Sequence, residues 1–286
     1  MSFFIVMSLL LVPVWAIAQE EGHATEPAPV LKTEKKFIPF FHERFAVYGG
    51  GYFMFTDSNL KVNSGGGGQS IDLEDAFGLD DQSNTAVAGF RWRFFKKHRL
   101  EGEFFPISRK GRRTTDEPID VGGGIIIPAG ASVSAGLDLN AGRFNYGYSF
   151  ILDEKKEFGI QLGLHVLAVD FGIDVDPALP GDPDFGVNLG DDLSTPLPNV
   201  GLFGGWAFTD RLAATTRFQY FYIDISDVTG QLFQGDLGLQ FHLFKHFDLG
   251  LDFRIFGVYG SGKNGGDRVE LDQINWGPLL SGTLRF

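Results

Sequence analysis

The sequence predicts an all-β fold, an antiparallel transmembrane β-barrel of about ten strands, or eight if the first or sixth segment is misread. Three observations predict it. Apolar and polar residues alternate in segment after segment, and a period of two gives a strand two unlike faces. The connections between segments are short and long by turns. After residue 18, no apolar stretch is long enough to cross a bilayer as a helix.

Residues 1–18 read as a secretory signal peptide. An apolar core runs from Phe3 to Val12, and Ala16-Ile17-Ala18 forms a small-x-small cleavage site before Gln19. The usual positive n-region is missing, so the natural start is expected slightly upstream. Residues 19–43 hold Pro and charge without periodicity and read as a flexible periplasmic tail. The barrel occupies 44–286.

Its strands are expected at 44–55, 85–95, 99–108, 132–151, 158–173, 199–208, 212–223, 230–243, 247–259 and 269–286. Short connections fall at 96–98, 153–157, 209–211 and 244–246, and long ones at 56–84, 109–131 and 174–198. Short turns on one side and long loops on the other are how an outer-membrane barrel distinguishes periplasm from exterior. An even strand count puts both ends of the barrel on the periplasmic side. In the last strand, Ile274, Trp276, Pro278, Leu280, Gly282, Leu284 and Phe286 share one face. The fourth strand changes its apolar parity between Leu139 and Phe144, and a β-bulge near Ala141-Gly142 would account for that.

Composition fits this class. With 0 Cys there is no disulfide framework and no thiolate metal site, and Gly 39 and Phe 30 suit curved strands with an apolar belt. A net charge of -12 argues against a nucleic-acid partner.

If one face meets lipid, the other points into the lumen. A three-residue turn at 96–98 sets Arg93 opposite Glu101 and Arg91 opposite Glu103. The turn at 244–246 sets Asp236 opposite Arg254 and His242 opposite Asp248, with Asp252 also inward. Arg217 projects inward from the seventh strand, and Arg143 can face His165. Gln161, Gln219, Gln234 and Gln240 add amides. This network reads as a salt-bridged plug, because a barrel of eight to ten strands has little free lumen. The alternative is a narrow ion path lined by Arg217, Arg91 and Arg143.

On the lipid face, Trp92, Trp206, Trp276, Tyr146, Tyr148, Tyr220 and Tyr222 lie near strand ends and read as interfacial girdles. The long loops are charged in patches. Asp72, Glu74, Asp75, Asp80 and Asp81 form one acidic run, and Asp174, Asp176, Asp182, Asp184, Asp191 and Asp192 another. Their spacing matches no calcium-loop motif, so they read as solvated acids with no metal or cofactor assigned. Arg109, Lys110, Arg112 and Arg113 can contact lipopolysaccharide phosphates or pair with those loops. Gly65 to Gly68 and Gly122 to Gly124 lack the strand–helix setting of a phosphate cradle.

No catalytic site is assigned. His23, His42, His98, His242 and His246 belong to the tail or the periplasmic side. His165, deep in a strand beside Arg143, lacks the carboxylate that would orient it as a general base.

A terminal strand closed by an aromatic residue, here Phe286, resembles the sorting signal of bacterial outer-membrane barrels. That implies export to the outer membrane and recognition by the barrel-assembly machinery. Ile71-Asp72-Leu73-Glu74-Asp75-Ala76-Phe77-Gly78-Leu79-Asp80, Lys97-His98-Arg99-Leu100-Glu101 and Asn145-Tyr146-Gly147-Tyr148-Ser149-Phe150 resemble segments of small outer-membrane barrels of the OmpA-like superfamily. The resemblance spans 44–286 and implies a barrel with lipid and lipopolysaccharide as neighbours. It transfers no catalytic or ligand motif. OmpA carries a soluble peptidoglycan-binding domain after its barrel; the sequence here runs no further than the barrel, so that role is not carried over. The expected function is a non-enzymatic surface barrel, with a narrow pore as the alternative and a lipid-modifying enzyme behind both. Oligomeric state is not legible.

Overall fold

A computed structural model describes residues 37–286 apart from 65–66, 123–124, 177–184, 189–192, 226–227 and 265–266. Residues 1–18, expected as a signal peptide, the expected tail as far as residue 36, part of each glycine run, and Asp182, Asp184, Asp191 and Asp192 lie outside the described residues. In chain order the elements are β1 (Phe45–Ser64), β2 (Gly67–Asp72), α1 (Leu73–Phe77), β3 (Gln82–Phe95), β4 (His98–Thr114), β5 (Ile119–Gly122), β6 (Ile125–Ile127), β7 (Ser132–Leu152), β8 (Lys156–Asp176), β9 (Phe185–Asn188), β10 (Leu193–Ala207), β11 (Leu212–Ile225), β12 (Val228–Phe244), β13 (Phe247–Asn264) and β14 (Asp267–Arg285).

Ten strands, β1, β3, β4, β7, β8, β10, β11, β12, β13 and β14, pair in a closed antiparallel ring. They correspond one for one to the ten segments expected from alternation. β2 adds to β1 and β9 to β8 at the long-loop end, and β5 with β6 forms a separate hairpin there. The ring closes where β1 meets β14, with Ala46 opposite Arg285.

The strands outrun the sequence expectation at the loop end. β7 and β8 each have 21 residues, about twice the 9–11 that a tilted strand needs to cross a bilayer. Side-chain polarity explains the excess. In the half of β8 nearer the turn, Ile160, Leu162, Leu164 and Val166 face outward, exposed, while Glu157, Gln161 and His165 are buried inside. Further up, Asp170, Asp174 and Asp176 face outward and Leu167, Ile173 and Val175 are buried inside. β7 inverts at the same height, since Arg143 lies opposite His165 and Ala141 opposite Leu167. β4 does too, with Glu103 opposite Arg143 and Phe105 opposite Ala141. Below this level the barrel is polar inside and apolar outside, as lipid demands. Above it these three strands are largely apolar inside and polar outside, as water demands.

That inversion corrects the reading of β7. Its pairing with both neighbours runs without a shift through Ala141 and Gly142, so no bulge lies there; the irregularity falls between Ser149 and Ile151. Leu139, Ala141 and Arg143 share the inner face. Apolar parity changes because the environment on each face changes, not because the strand slips.

The inversion gives a direct prediction. Phe144, below the level and lipid-facing, replaced by Arg should cost about 2–4 kcal/mol. Asn140→Arg, on the same face but above the level, should stay within about 0.5 kcal/mol. Urea titration of folding into lipid vesicles measures both, and equal costs would contradict the level assigned here.

Candidate functional site

The candidate site is the lumen, filled in four tiers from the short-turn end upward. Residues 37–43, read from sequence as the end of a flexible tail, instead cap the lowest tier. Phe40 stacks on His242 with ring centroids 3.7 Å apart. Phe41 adopts a left-handed φ of 68°, a strained conformation for a bulky residue. Its ring fills the space over Gly205, where a β-carbon would clash with it. Glu43 takes Arg285 at 2.6 Å and Arg91 at 3.2 Å. Arg285 also reaches Asp248 at 3.2 Å, and Asp248 holds the His242 imidazole.

The second tier is an unbroken chain of alternating charges. Arg93 pairs with Glu157 (2.6 Å), Glu157 with Arg99 (2.9 Å), and Arg99 with Glu101 (3.0 Å). Glu101 pairs with Arg217 (2.8 Å), Arg217 with Asp236 (3.4 Å), and Asp236 with Arg254 (2.6 Å). Arg254 then pairs with Glu103 (3.0 Å) and Glu103 with Arg143 (3.1 Å). Amides extend the chain. Arg143 donates to Gln219, which donates to Asn145 and Asn199. His165 lies between Asn199 at 3.0 Å and Gln234 at 3.3 Å. A cavity of about 110 Å³, lined in part by Tyr48, Asp252, Arg217 and Arg254, separates this tier from the mouth; it has room for a few waters.

The third tier is apolar. Tyr52, Met54, Val87, Phe105, Ile107, Leu139, Phe221, Leu232, Phe256 and Leu279 meet across the barrel. Phe105 and Phe256 pack edge to face at 5.5 Å, a favoured aromatic geometry.

The fourth tier is a lid. The side chain of Asp72 caps α1 by accepting from Asp75 N at 2.8 Å, and Gly78 at φ 68° ends it. Leu73, Phe77 and Leu79 pack beneath it against Leu60, Ile127, Val133, Ile173 and Val175. Glu74 fixes the lid to the wall by accepting from Ser58 N (3.1 Å) and Ser58 Oγ (2.5 Å), and by pairing with Arg109. Burial pushes the Glu74 carboxyl up, but these hydrogen bonds and the Arg109 charge outweigh it and hold it below the usual carboxylate range.

These contacts locate each side chain singled out from sequence. Asp236 opposite Arg254, His242 opposite Asp248 and Arg143 opposite His165 stand in the register expected. Around the first short turn the register differs: Arg91 faces Glu101 and Arg93 faces Arg99. The turn has two residues, Lys96-Lys97, with His98 already in β4 and an irregularity between Arg93 and Phe95. Each arginine therefore finds a carboxylate elsewhere, on Glu157 and Glu43. In the basic run, Arg109 has no exposed side chain and clamps the lid. Arg112 pairs with Asp176 at 2.8 Å and Arg113 with Asp116 at 3.3 Å. Lys110 is exposed. Sequence reasoning passed over Glu43, Arg99, Glu157 and Arg285. Inward parity marks Arg99 and Arg285, whereas Glu157 sits where a turn was expected and Glu43 in a segment with no period. The apolar third tier went unread because its residues looked like lipid-facing ones.

No family model and no curated protein matches the sequence. Among solved structures, the outer membrane protease OmpT from Escherichia coli is similar at a TM-score of 0.54 and 9% identity, over 88% of this chain and 99% of that one. The chain is an antiparallel transmembrane β-barrel. At that identity the barrel fold alone is shared. The translocator domain of autotransporter NalP from Neisseria meningitidis reaches a TM-score of 0.41 at 11% identity, over 86% of this barrel and 90% of that chain. Outer membrane protein OprG from Pseudomonas aeruginosa reaches 0.36 at 11% identity, over 86% and 98%.

Two predictions follow from the tiers. Glu103→Ala leaves Arg143 and Arg254 facing each other without their shared carboxylate and should cost about 3–5 kcal/mol; Lys110→Ala should change stability by less than about 0.5 kcal/mol. Urea midpoints compare them. Glu74 has a lowered pKa in the folded state, so its stabilisation of the lid is present above the ordinary glutamate range and lost as pH falls toward that lowered value. The protection factors of the α1 amides, exchange rates taken relative to the unfolded chain at the same pH, should fall on acidification in the wild type. In Glu74→Gln they should already be low at neutral pH and flat with pH.

Proposed function

We propose that this protein resides in the bacterial outer membrane as a closed, non-catalytic barrel that holds an ordered, acidic loop end above the bilayer. The observation that carries the reading is the filled lumen. The pore reading depends on unpaired inward arginines, and Arg217, Arg91 and Arg143 each have a carboxylate partner within 3.4 Å. Above them lies a tier of packed rings and aliphatic chains, a barrier to hydrated ions regardless of charge.

Non-catalytic work is supported by the state of the inward histidines. His165 is bonded to two amides, with Arg143 opposite it and, among the described residues, no carboxylate hydrogen-bonded to it. His242 does hold a carboxylate, but its ring face is covered by Phe40 and its edge is met by Arg285. A general base needs access to the proton it removes. The outer-membrane location is supported by the barrel fold, the lipid-facing apolar belt and Phe286 at the end of β14. Recognition of that last strand by the barrel-assembly machinery, and the OmpA-like kinship of the turn and loop segments, belong to the same reading. Of the four basic residues first considered for lipopolysaccharide, Lys110 alone is exposed and outside the ion pairs described above.

Single-channel recording tests the proposal. Residues 19–286 refolded into planar lipid bilayers should insert and show no steady conductance. Phe105→Gly combined with Phe256→Gly should permit current by thinning the third tier. Steady, discrete conductance from the wild type would overturn the closed barrel and place the pore first.

A further inference from the structure

The outward-facing charges are distributed by level, independently of the lumen. At the loop end, Asp57, Asp138, Asp170, Asp174, Asp224 and Asp272 are exposed just above the apolar belt. At the opposite rim every short turn carries a cation: Lys96 and Lys97, Lys155 and Lys156, Arg211, and Lys245. The exposed acidic side chains at that rim are Asp153, Glu154 and Asp210. The belt is therefore bounded by excess positive charge on the turn side and by carboxylates on the loop side.

One place on the turn rim is shaped for a lipid. Arg44, Phe45, Trp92 and Phe286 line an open groove at the base of the belt, beside the β1–β14 seam. The backbone of Arg44 is pinned: its N donates to Phe286 O at 2.8 Å, and its O accepts from Arg93 N at 2.8 Å. Its side chain is exposed and makes no ion pair among the described residues. The groove wall is apolar, with Phe45 opposite Trp92 in the β1–β3 register and both exposed. Elsewhere on the rim a cation also meets a belt aromatic, with Lys156 Nζ 4.7 Å from the Trp206 ring centroid. A guanidinium above an aromatic groove matches a molecule with a phosphodiester head and an acyl chain.

We propose that this groove binds an anionic phospholipid of the periplasmic leaflet, its phosphate on Arg44 and an acyl chain along Phe45, Trp92 and Phe286. The lysines of the neighbouring turns select a net negative headgroup over a zwitterionic one, because each cation near a membrane surface favours anionic lipid.

Native mass spectrometry of the full barrel, extracted in mild detergent and given equal amounts of phosphatidylglycerol and phosphatidylethanolamine, tests this. The wild type should retain phosphatidylglycerol in preference. Arg44→Gln should reduce that preference about fivefold, the effect expected of one cation at a membrane surface. Arg44→Lys should keep most of it, and Trp92→Ala should weaken retention of both lipids. Circular dichroism confirms that each variant is folded. Equal retention of the two lipids by the wild type would overturn the proposal, as would a preference that survives Arg44→Gln unchanged. Neither result depends on whether the barrel conducts.

Discussion

Everything inside this barrel depends on one constraint: an arginine or glutamate taken out of water must meet its opposite. The chain from Arg93 to Arg143 meets it by strict alternation, with five guanidiniums and four carboxylates in sequence. Its members come from β3, β8, β4, β11, β12, β13 and β7. The other three ring strands are tied to it. Tyr48 of β1 donates to Glu103 at 2.7 Å, Asn199 of β10 is bonded through Gln219, and Arg285 of β14 shares Glu43 with Arg91, the residue opposite Glu101 in the β3–β4 register. Such a network fixes register, since a slip of one residue would turn each charge toward lipid. It also explains why the mouth is capped from within: Glu43 is the carboxylate that Arg285 and Arg91 share.

The second organising fact is the level at which polarity inverts. A strand in lipid wants apolar residues outside and tolerates charge inside; the same strand in water wants the reverse. β4, β7 and β8 obey both rules in succession, and the switch occurs at one height on all three. The apolar core above that height seals the lumen and supports the α1 lid, while the acids outside it face water. Closure thus follows from continuing the barrel beyond the bilayer, with no separate plug domain needed among the described residues. At the turn-side rim, Arg44 makes no ion pair among the described residues and stands with a run of turn lysines.

How much of this was legible before the fold was known differs by feature. Alternation of period two located all ten ring strands, because lipid on one side and lumen on the other is a local condition written into neighbouring residues. Short and long connections do fall at opposite ends of the ring, as their alternation along the sequence implies. Registers at the turns near 153–157 and 244–246 came out correctly enough to pair Arg143 with His165 and Asp236 with Arg254. At 96–98 a turn shorter by one residue moved the arginines to other partners. Arg109 looked like a surface cation because it follows the expected end of a strand; only the fold brings Glu74 and Ser58 around it.

The sequence by itself determined the class of fold, the inward set of charges and the outward belt, since each is a matter of which face a residue takes. The tertiary structure decided which charge meets which, because those partners lie on strands far apart in the chain, as with Arg99 and Glu157 or Arg254 and Glu103. It alone showed that Phe105, Leu139 and Phe256 seal the lumen rather than face lipid. An apolar side chain carries no mark of which apolar surroundings it will enter; its height on the barrel settles that, and height is a property of the closed ring.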